Sequence, residues 1–300
     1  MSAEREDMSR AALPWPRLFY WQVRREIWEH RGVYLAPLAA AGAALVGFVL
    51  SLGHLPAALK AAVADPKKVE HLMLPYDFVA VAVLVTGLIF AIFYSLGALH
   101  GERRDRSILF WKSLPVSDLT TVLSKAFVPL GLLPPVIFAA VFAGSLVVLA
   151  LSTATVLLTG GDPVQLWSRL DLVFMWLALG NGLVFMFLWW APVVAWLMLV
   201  SAWARRMTFL WAVGPFLAVM VIERIAVGKP LIFYHFLRQR LAGAFAQAFT
   251  VGGQGKVFFR TPSDLDLGRM YSSPELWIGL AVAAAFLALA VRLRRSSHPI

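Results

Sequence analysis

Six apolar runs divide this 300-residue chain, and each approaches or exceeds the length of a membrane crossing: roughly Tyr34–Leu52, Asp77–Leu99, Ala126–Leu151, Leu172–Val200, Phe209–Val227 and Leu276–Val291. A hydrocarbon layer about 30 Å thick is crossed by about 20 helical residues, because a helix satisfies its own backbone hydrogen bonds where no water can. The pattern predicts an all-α integral membrane protein: an N-terminal segment 1–33, a six-span domain 34–291 and a short tail 292–300. Composition excludes the soluble alternative. The chain is 60% hydrophobic and 15% charged, against about 45–50% and about 25% in soluble domains. The absence of cysteine removes disulfides, thiolate metal sites and cysteine nucleophiles together.

The fourth run is long enough to tilt or to hold a break, expected at Gly180-Asn181-Gly182 or Pro192. The first and third are rich in Ala and Gly, and the spacing Ala39/Ala43/Gly47 is expected to bring helix backbones close together. With six spans, both termini share a side. That side carries sixteen Lys and Arg, grouped before the first run, at Arg103, Arg104, Arg106, Lys112 and Lys125, at Arg205 and Arg206, and after the last run. The opposite loops carry ten, six of them in the single loop after the fifth run. Positive charge gathers on the cytoplasmic side of membrane proteins, so both termini are expected there. The net charge of +10 then reflects topology and attraction to anionic lipid rather than nucleic-acid binding. No cleavable signal peptide is expected, because charged and aromatic residues precede the first run and no small-residue cleavage site follows it.

Three segments between the runs carry information. In Leu13–Arg31, Trp15, Phe19, Val23 and Ile27 recur every fourth residue while Arg17, Arg24, Arg25 and Glu29 lie elsewhere, which predicts an amphipathic helix lying in the membrane interface. In the loop 100–125, a charged start (Glu102, Arg103, Arg104) leads to Ile108-Leu109-Phe110-Trp111, a short helix with one apolar face. Pro115 is expected to end that helix, and Ser117 or Asp118 to cap the next. The outer loop 228–273 opens on an amphipathic stretch from Leu231, passes through a glycine-rich turn at 252–255, and ends at Ser272-Ser273-Pro274-Glu275, a helix-start signal. It reads as a lid on the outer side of a pathway.

Catalytic constellations are missing. The sequence has no G-x-x-x-x-G-K-[ST], no H-E-x-x-H and no G-x-S-x-G, and its six histidines form no mid-span ligand pair. No cofactor or metal is expected in this chain. Polar groups inside the runs are functional candidates by default. They are Asn181, read as glue between helices, and Glu223 with Arg224, read as snorkelling or paired near the outer end of the fifth run.

Six spans, RREIWEHRG leading into the first, and GERRDRSILFWKSLPVSDLTTVLSK between the second and third together resemble the permease subunits of type-2 ATP-binding-cassette (ABC) transporters. The resemblance implies an elbow helix before the first span, a coupling helix in the loop 100–125, and short re-entrant helices before the last span. It implies a bacterial inner-membrane export pathway formed by two permease chains, as a homodimer or heterodimer. A separate ATPase subunit would bind ATP and Mg²⁺. The expected ATPase contact is Glu102, Arg103, Arg104, Ile108, Phe110, Trp111 and Lys112, with Arg24, Arg25, Glu26 and Glu29 as secondary candidates on the elbow helix. The alternative is a six-span sensor or assembly factor that binds a cytoplasmic partner through the same loop. An aromatic group on the fourth run, Trp176, Trp189, Trp190 and Trp196, suits a lipid, amphiphile or peptide as cargo.

Overall fold

A computed structural model describes residues 14–65, 69–105, 107–113, 116–227, 232–251, 256–257 and 267–296. Arg106, Pro115 and the turn at 252–255 lie outside them. Six helical stretches are each long and apolar enough to cross a membrane, and the chain is a multi-pass membrane protein. The spanning helices are α2 (Gly32–Ser51), α4 (Glu70–Gly97), α8 (Leu133–Leu158), α10 (Leu172–Trp203), α11 (Thr208–Val227) and α14 (Pro274–Ser296). Shorter elements connect them: α1 (Trp15–Glu29), α3 (Leu55–Ala64), α5 (His100–Arg104), α6 (Ile108–Ser113), α7 (Asp118–Phe127), α9 (Pro163–Trp167), α12 (Ile232–Phe249) and α13 (Leu267–Ser272). Thr250–Val251 pairs antiparallel with Lys256–Val257 in the one short β-ladder among the described residues.

Two groups of helices build the interior. Helix α2 packs on α4 and α8, while α10 packs on α14 and α12, and contacts between α4 and α10 join the groups. Helix α10 is the hub: 67% of its most apolar stretch is buried, against 6% for α11. Lipid is as apolar as leucine, so a membrane helix need not bury its apolar surface against protein to be stable. Helix α11 accordingly leaves Phe209, Leu210, Ile222 and Ile225 exposed.

Three local expectations are corrected. The fourth span is one unbroken helix through Gly180, Asn181, Gly182 and Pro192, because neighbouring helices tolerate a single missing backbone donor in the membrane. The interruption lies in the third span, where Val128–Leu132 forms a π-helical turn between α7 and α8. Pro129 in that turn, and Pro134 and Pro135 just after it, remove three donors within seven residues, and a widened turn accommodates them. The spacing Ala39/Ala43/Gly47 faces outward. Helix α2 instead packs through Val33, Pro37, Ala41, Ala44 and Phe48, since an apolar, Ala-rich helix offers several equivalent stripes and its neighbours choose among them.

Helix α12 does not stay at the surface. The Trp189 indole donates to the Arg240 carbonyl at 3.2 Å, and the Arg240 guanidinium lies 4.8 Å from the centroid of the same ring. Trp189 is seventeen residues along the 32-residue α10, about 25 Å from its start at about 1.5 Å per residue. Helix α12 therefore reaches the middle of α10. Gly279 on α14 makes room for it, because a Cβ there would collide with the Arg240 guanidinium.

Candidate functional site

Among the described residues, the richest concentration of buried charge gathers α1, α5, α7 and the Arg-rich end of α14. Helix α1 starts after Pro14, whose extended backbone cannot continue a helix, and has Pro16 in its first turn. It turns Gln22, Val23 and Glu26 inward. Helix α7 starts at a cap in which the Ser117 hydroxyl oxygen accepts from the Thr120 N–H at 3.1 Å. Ser117 rather than Asp118 is therefore the cap, and α7 presents Lys125 toward α1.

Glu26 is fully buried and lies at the centre. Its Oε1 accepts from Lys125 Nζ at 2.7 Å and from Arg25 Nη2 at 2.8 Å, and its Oε2 accepts from the Tyr94 hydroxyl at 2.8 Å. Burial alone would raise the Glu26 carboxyl, but the Lys125 ammonium and the Arg25 guanidinium hold it down at about 2, from an ordinary 4.5. Glu102 is the second centre. Lys125 lies 3.2 Å from its Oε1, Arg25 3.5 Å from the same oxygen, and Arg294 of α14 3.0 Å from its Oε2. Arg294 also lies 3.2 Å from Asp118. Its contacts satisfy ion-pair distance without hydrogen-bond alignment, so the attraction there is coulombic. Three buried or half-buried carboxylates (Glu26, Glu102, Asp118) thus face three cations (Arg25, Lys125, Arg294), and Glu29 adds a fourth carboxylate at the exposed edge through Arg25.

A second set of bonds ties the loop to α10. The N–H groups of Leu99 and His100, at the junction of α4 and α5, both donate to the Ser201 hydroxyl at 3.0 and 2.9 Å. Backbone donors at a helix start have no partner within the helix, so this hydroxyl completes the junction. Arg103 Nη1 donates to the Ala202 carbonyl at 2.6 Å and so caps the C-terminal end of α10.

Of the candidate contact residues, Glu102 and Arg103 are each 8% exposed and Ile108 1%. Their side chains are engaged within the chain. Arg104 is exposed, with Asp105 beside it at 3.0 Å. Phe110 is 59% exposed and stacks edge-on with Trp111. Trp111 is half-buried, with Arg25 Cζ 3.8 Å from its ring centroid, a cation–π contact that fastens α6 to α1. Lys112 belongs to α6. On α1, Arg25 and Glu26 belong to the buried cluster, Glu29 pairs with Arg25 at 3.3 Å, and Arg24 lies on the far side of the helix between Trp21 and Trp28. Lys125 and Arg294, the residues that close the cluster, were not singled out from the sequence. Their signal was weak: a cation at the inner end of a span is ordinary for topology.

Glu26, Glu29 and His30 also stand close enough together to resemble a metal trio. The Lys125 ammonium already compensates the Glu26 carboxylate, and a cation there would meet a second positive charge.

Asn181 joins α10 to α13, accepting from the Tyr271 hydroxyl at 3.0 Å. Glu223 accepts from the Phe233 N–H at 3.2 Å, linking α11 to α12, and Arg224 lies exposed in the last turn of α11. The aromatic group on α10 is directed into the protein. Trp176 donates to the Ser145 hydroxyl and Trp196 to the Ala212 carbonyl, while Trp190 packs against the main core.

The fold and this cluster define an all-helical multi-pass membrane protein whose basic end is held by a buried ion-pair network. Comparison with protein-family models, with curated proteins and with solved structures returns no match for the chain.

Proposed function

We propose that this chain is the membrane-spanning permease subunit of a type-2 ABC transporter. It contributes the translocation pathway, pairs with a second permease chain, and couples to a separate ATPase subunit that binds ATP and Mg²⁺. Its place is the bacterial inner membrane with both termini cytoplasmic, and its cargo is an exported lipid, amphiphile or peptide. One observation carries the reading: the short helix α6 stands between two spanning helices on the Arg-rich end, exposes Phe110, and is wired to several elements at once. Trp111 connects it to α1 through Arg25, and Arg25 reaches Glu26 and Glu102. Those carboxylates connect it to α7 through Lys125 and to α14 through Arg294.

A force applied to α6 therefore reaches α1, α7 and α14 through charges that have few alternative partners, and α4 through the Tyr94 hydroxyl on Glu26. Buried ion pairs add little net stability, because desolvation offsets attraction. Their use here is to fix which elements move together. The docking face includes Arg104 and Phe110, while Glu102, Arg103 and Ile108 act from behind it.

The test is whether the full chain co-purifies with a P-loop ATPase when the two are expressed together. The Phe110→Asp variant is expected to lose the ATPase while keeping the wild-type melting temperature. An ATPase complex unaffected by that change, or a bound soluble partner with no P-loop, would defeat the reading.

A further inference from the structure

Helix α1 has two faces of opposite character. Gln22, Val23 and Glu26 turn toward the protein. On the other side, Arg17, Trp21, Arg24 and Trp28 succeed one another at steps of three or four and share one stripe, with Tyr20 flanking it beside Trp21. This reverses the expected orientation, in which Phe19, Val23 and Ile27 met the membrane. Val23 is buried, and Phe19 packs edge-on against Phe127 at the end of α7.

The outward stripe is aromatic and cationic. Tyr20, Trp21 and Trp28 are 57%, 51% and 61% exposed. The Arg24 guanidinium lies 5.0 Å from the Trp21 ring centroid and 4.6 Å from that of Trp28. Both acids of the helix, Glu26 and Glu29, are on the other side and paired with Arg25. Among the described residues no carboxylate lies within ion-pair reach of Arg17 or Arg24. Only His30 and Arg31 separate α1 from α2, whose Leu35, Leu38 and Val46 are exposed to the apolar layer.

We propose that this stripe is a binding face for anionic phospholipid headgroups. A guanidinium donates two parallel hydrogen bonds to a phosphate, and indole rings settle at the headgroup level because one edge is polar and the body apolar. The exposed side chains of α2 continue the surface for the acyl chains. Charge decides the lipid class: two arginines with no carboxylate partner among the described residues favour an anionic headgroup over a zwitterionic one. The inference stands on α1 alone and does not depend on the transport reading.

The full-length chain is placed in phosphatidylcholine nanodiscs that contain a minor fraction of either brominated phosphatidylglycerol or brominated phosphatidylcholine. Bromine quenches the indoles it touches. Phosphatidylglycerol is expected to quench at least twice as strongly, and the excess should fall by at least half in Trp21→Phe with Trp28→Phe. The excess should vanish in Arg17→Gln with Arg24→Gln and persist in the matching Lys variant. It should also shrink as salt is raised from about 0.01 to about 1 M, where screening shortens from about 30 to about 3 Å. Equal quenching by the two lipids, or an excess that survives Arg17→Gln with Arg24→Gln, overturns the proposal. So does protection of Trp21 and Trp28 from both lipids by a soluble partner.

Discussion

At the basic end, Glu26 and Glu102 join α1, α5, α7 and α14 through charged partners, whereas in the opposite half α10 meets α12 and α13 through neutral bonds from Trp189, Tyr271 and Asn181. The chemistry sets how each region responds to change. A buried charge that loses its partner must be neutralised or exposed, so a change at one member of the first region is expected to act on the whole cluster. A neutral hydrogen bond that breaks costs only about 1 kcal/mol, so the second loosens by degrees. On the transport reading proposed above, transmission of a push would suit the first kind of joint and a lid that opens for cargo the second.

The largest expected effect comes from breaking the central pair. Lys125→Met leaves the Glu26 carboxylate buried without its main cation, and a loss of about 3–5 kcal/mol is expected, read as a lower melting temperature in detergent. Adding Glu26→Gln should restore most of that loss. Failure of the double variant to recover would mean that the pair is not the organising contact.

Acid attacks the same joint. The Glu26 carboxyl lies at about 2 when folded and at an ordinary 4.5 otherwise. Its depressed folded value means that its contribution is complete above about pH 4.5 and is lost as the pH falls toward about 2. That amounts to roughly 3 kcal/mol at most. Glu26→Gln should flatten the melting temperature between those two limits, and an unchanged acid dependence would place the sensitivity elsewhere.

Arg294→Met frees the basic end of α14 from Glu102 and Asp118, with an expected cost of about 1–3 kcal/mol. Hydrogen exchange should rise near residue 290 and leave α12 unchanged. In the other region, Trp189→Phe removes the bond to the Arg240 carbonyl, weakens the contact with its guanidinium and leaves a void where the buried indole stood. A loss of about 1–3 kcal/mol and faster exchange in α12, with the basic end unaffected, would keep the two regions distinct. Coupled exchange at both ends would merge them. The smallest effect on stability belongs to Phe110→Asp, within about 0.5 kcal/mol because the site is exposed.

Much of the fold was legible in the runs themselves. Five of the six spanning helices start or end within a few residues of the apolar runs, because a charged side chain at a span end lies where water returns. The third differs most: its run begins at Ala126, inside α7, and the spanning helix α8 starts only at Leu133. The π turn at Val128–Leu132 displaced it. Three prolines stand in or just after that turn, yet Pro192 in α10 breaks nothing. Proline content alone does not distinguish the two cases, since the neighbours decide whether a missing donor is tolerated.

The candidate site was half legible. The charged start of the loop 100–125 and the Arg/Glu-rich α1 stood out, but their orientation did not. Glu26 reads as one more polar residue on a surface helix, and only the approach of Lys125, ninety-nine positions away, makes it a buried centre. The outward stripe of α1 was misassigned for the same reason. Phe19 and Val23 look like the membrane face until α7 covers them, which leaves Trp21, Arg24 and Trp28 outside.

What the sequence determined by itself is the number of crossings, their approximate limits and the concentration of positive charge on one side. Each of those follows from the free energy of moving a residue between water and hydrocarbon, which is a property of the residue and its immediate neighbours. Only the tertiary structure decided that α10 is the hub while α11 lies bare, since both are apolar enough for lipid. It also decided that Glu26, Glu102, Lys125 and Arg294 form one cluster. Pairing of buried charges depends on which helices meet, and that geometry is written in no single segment.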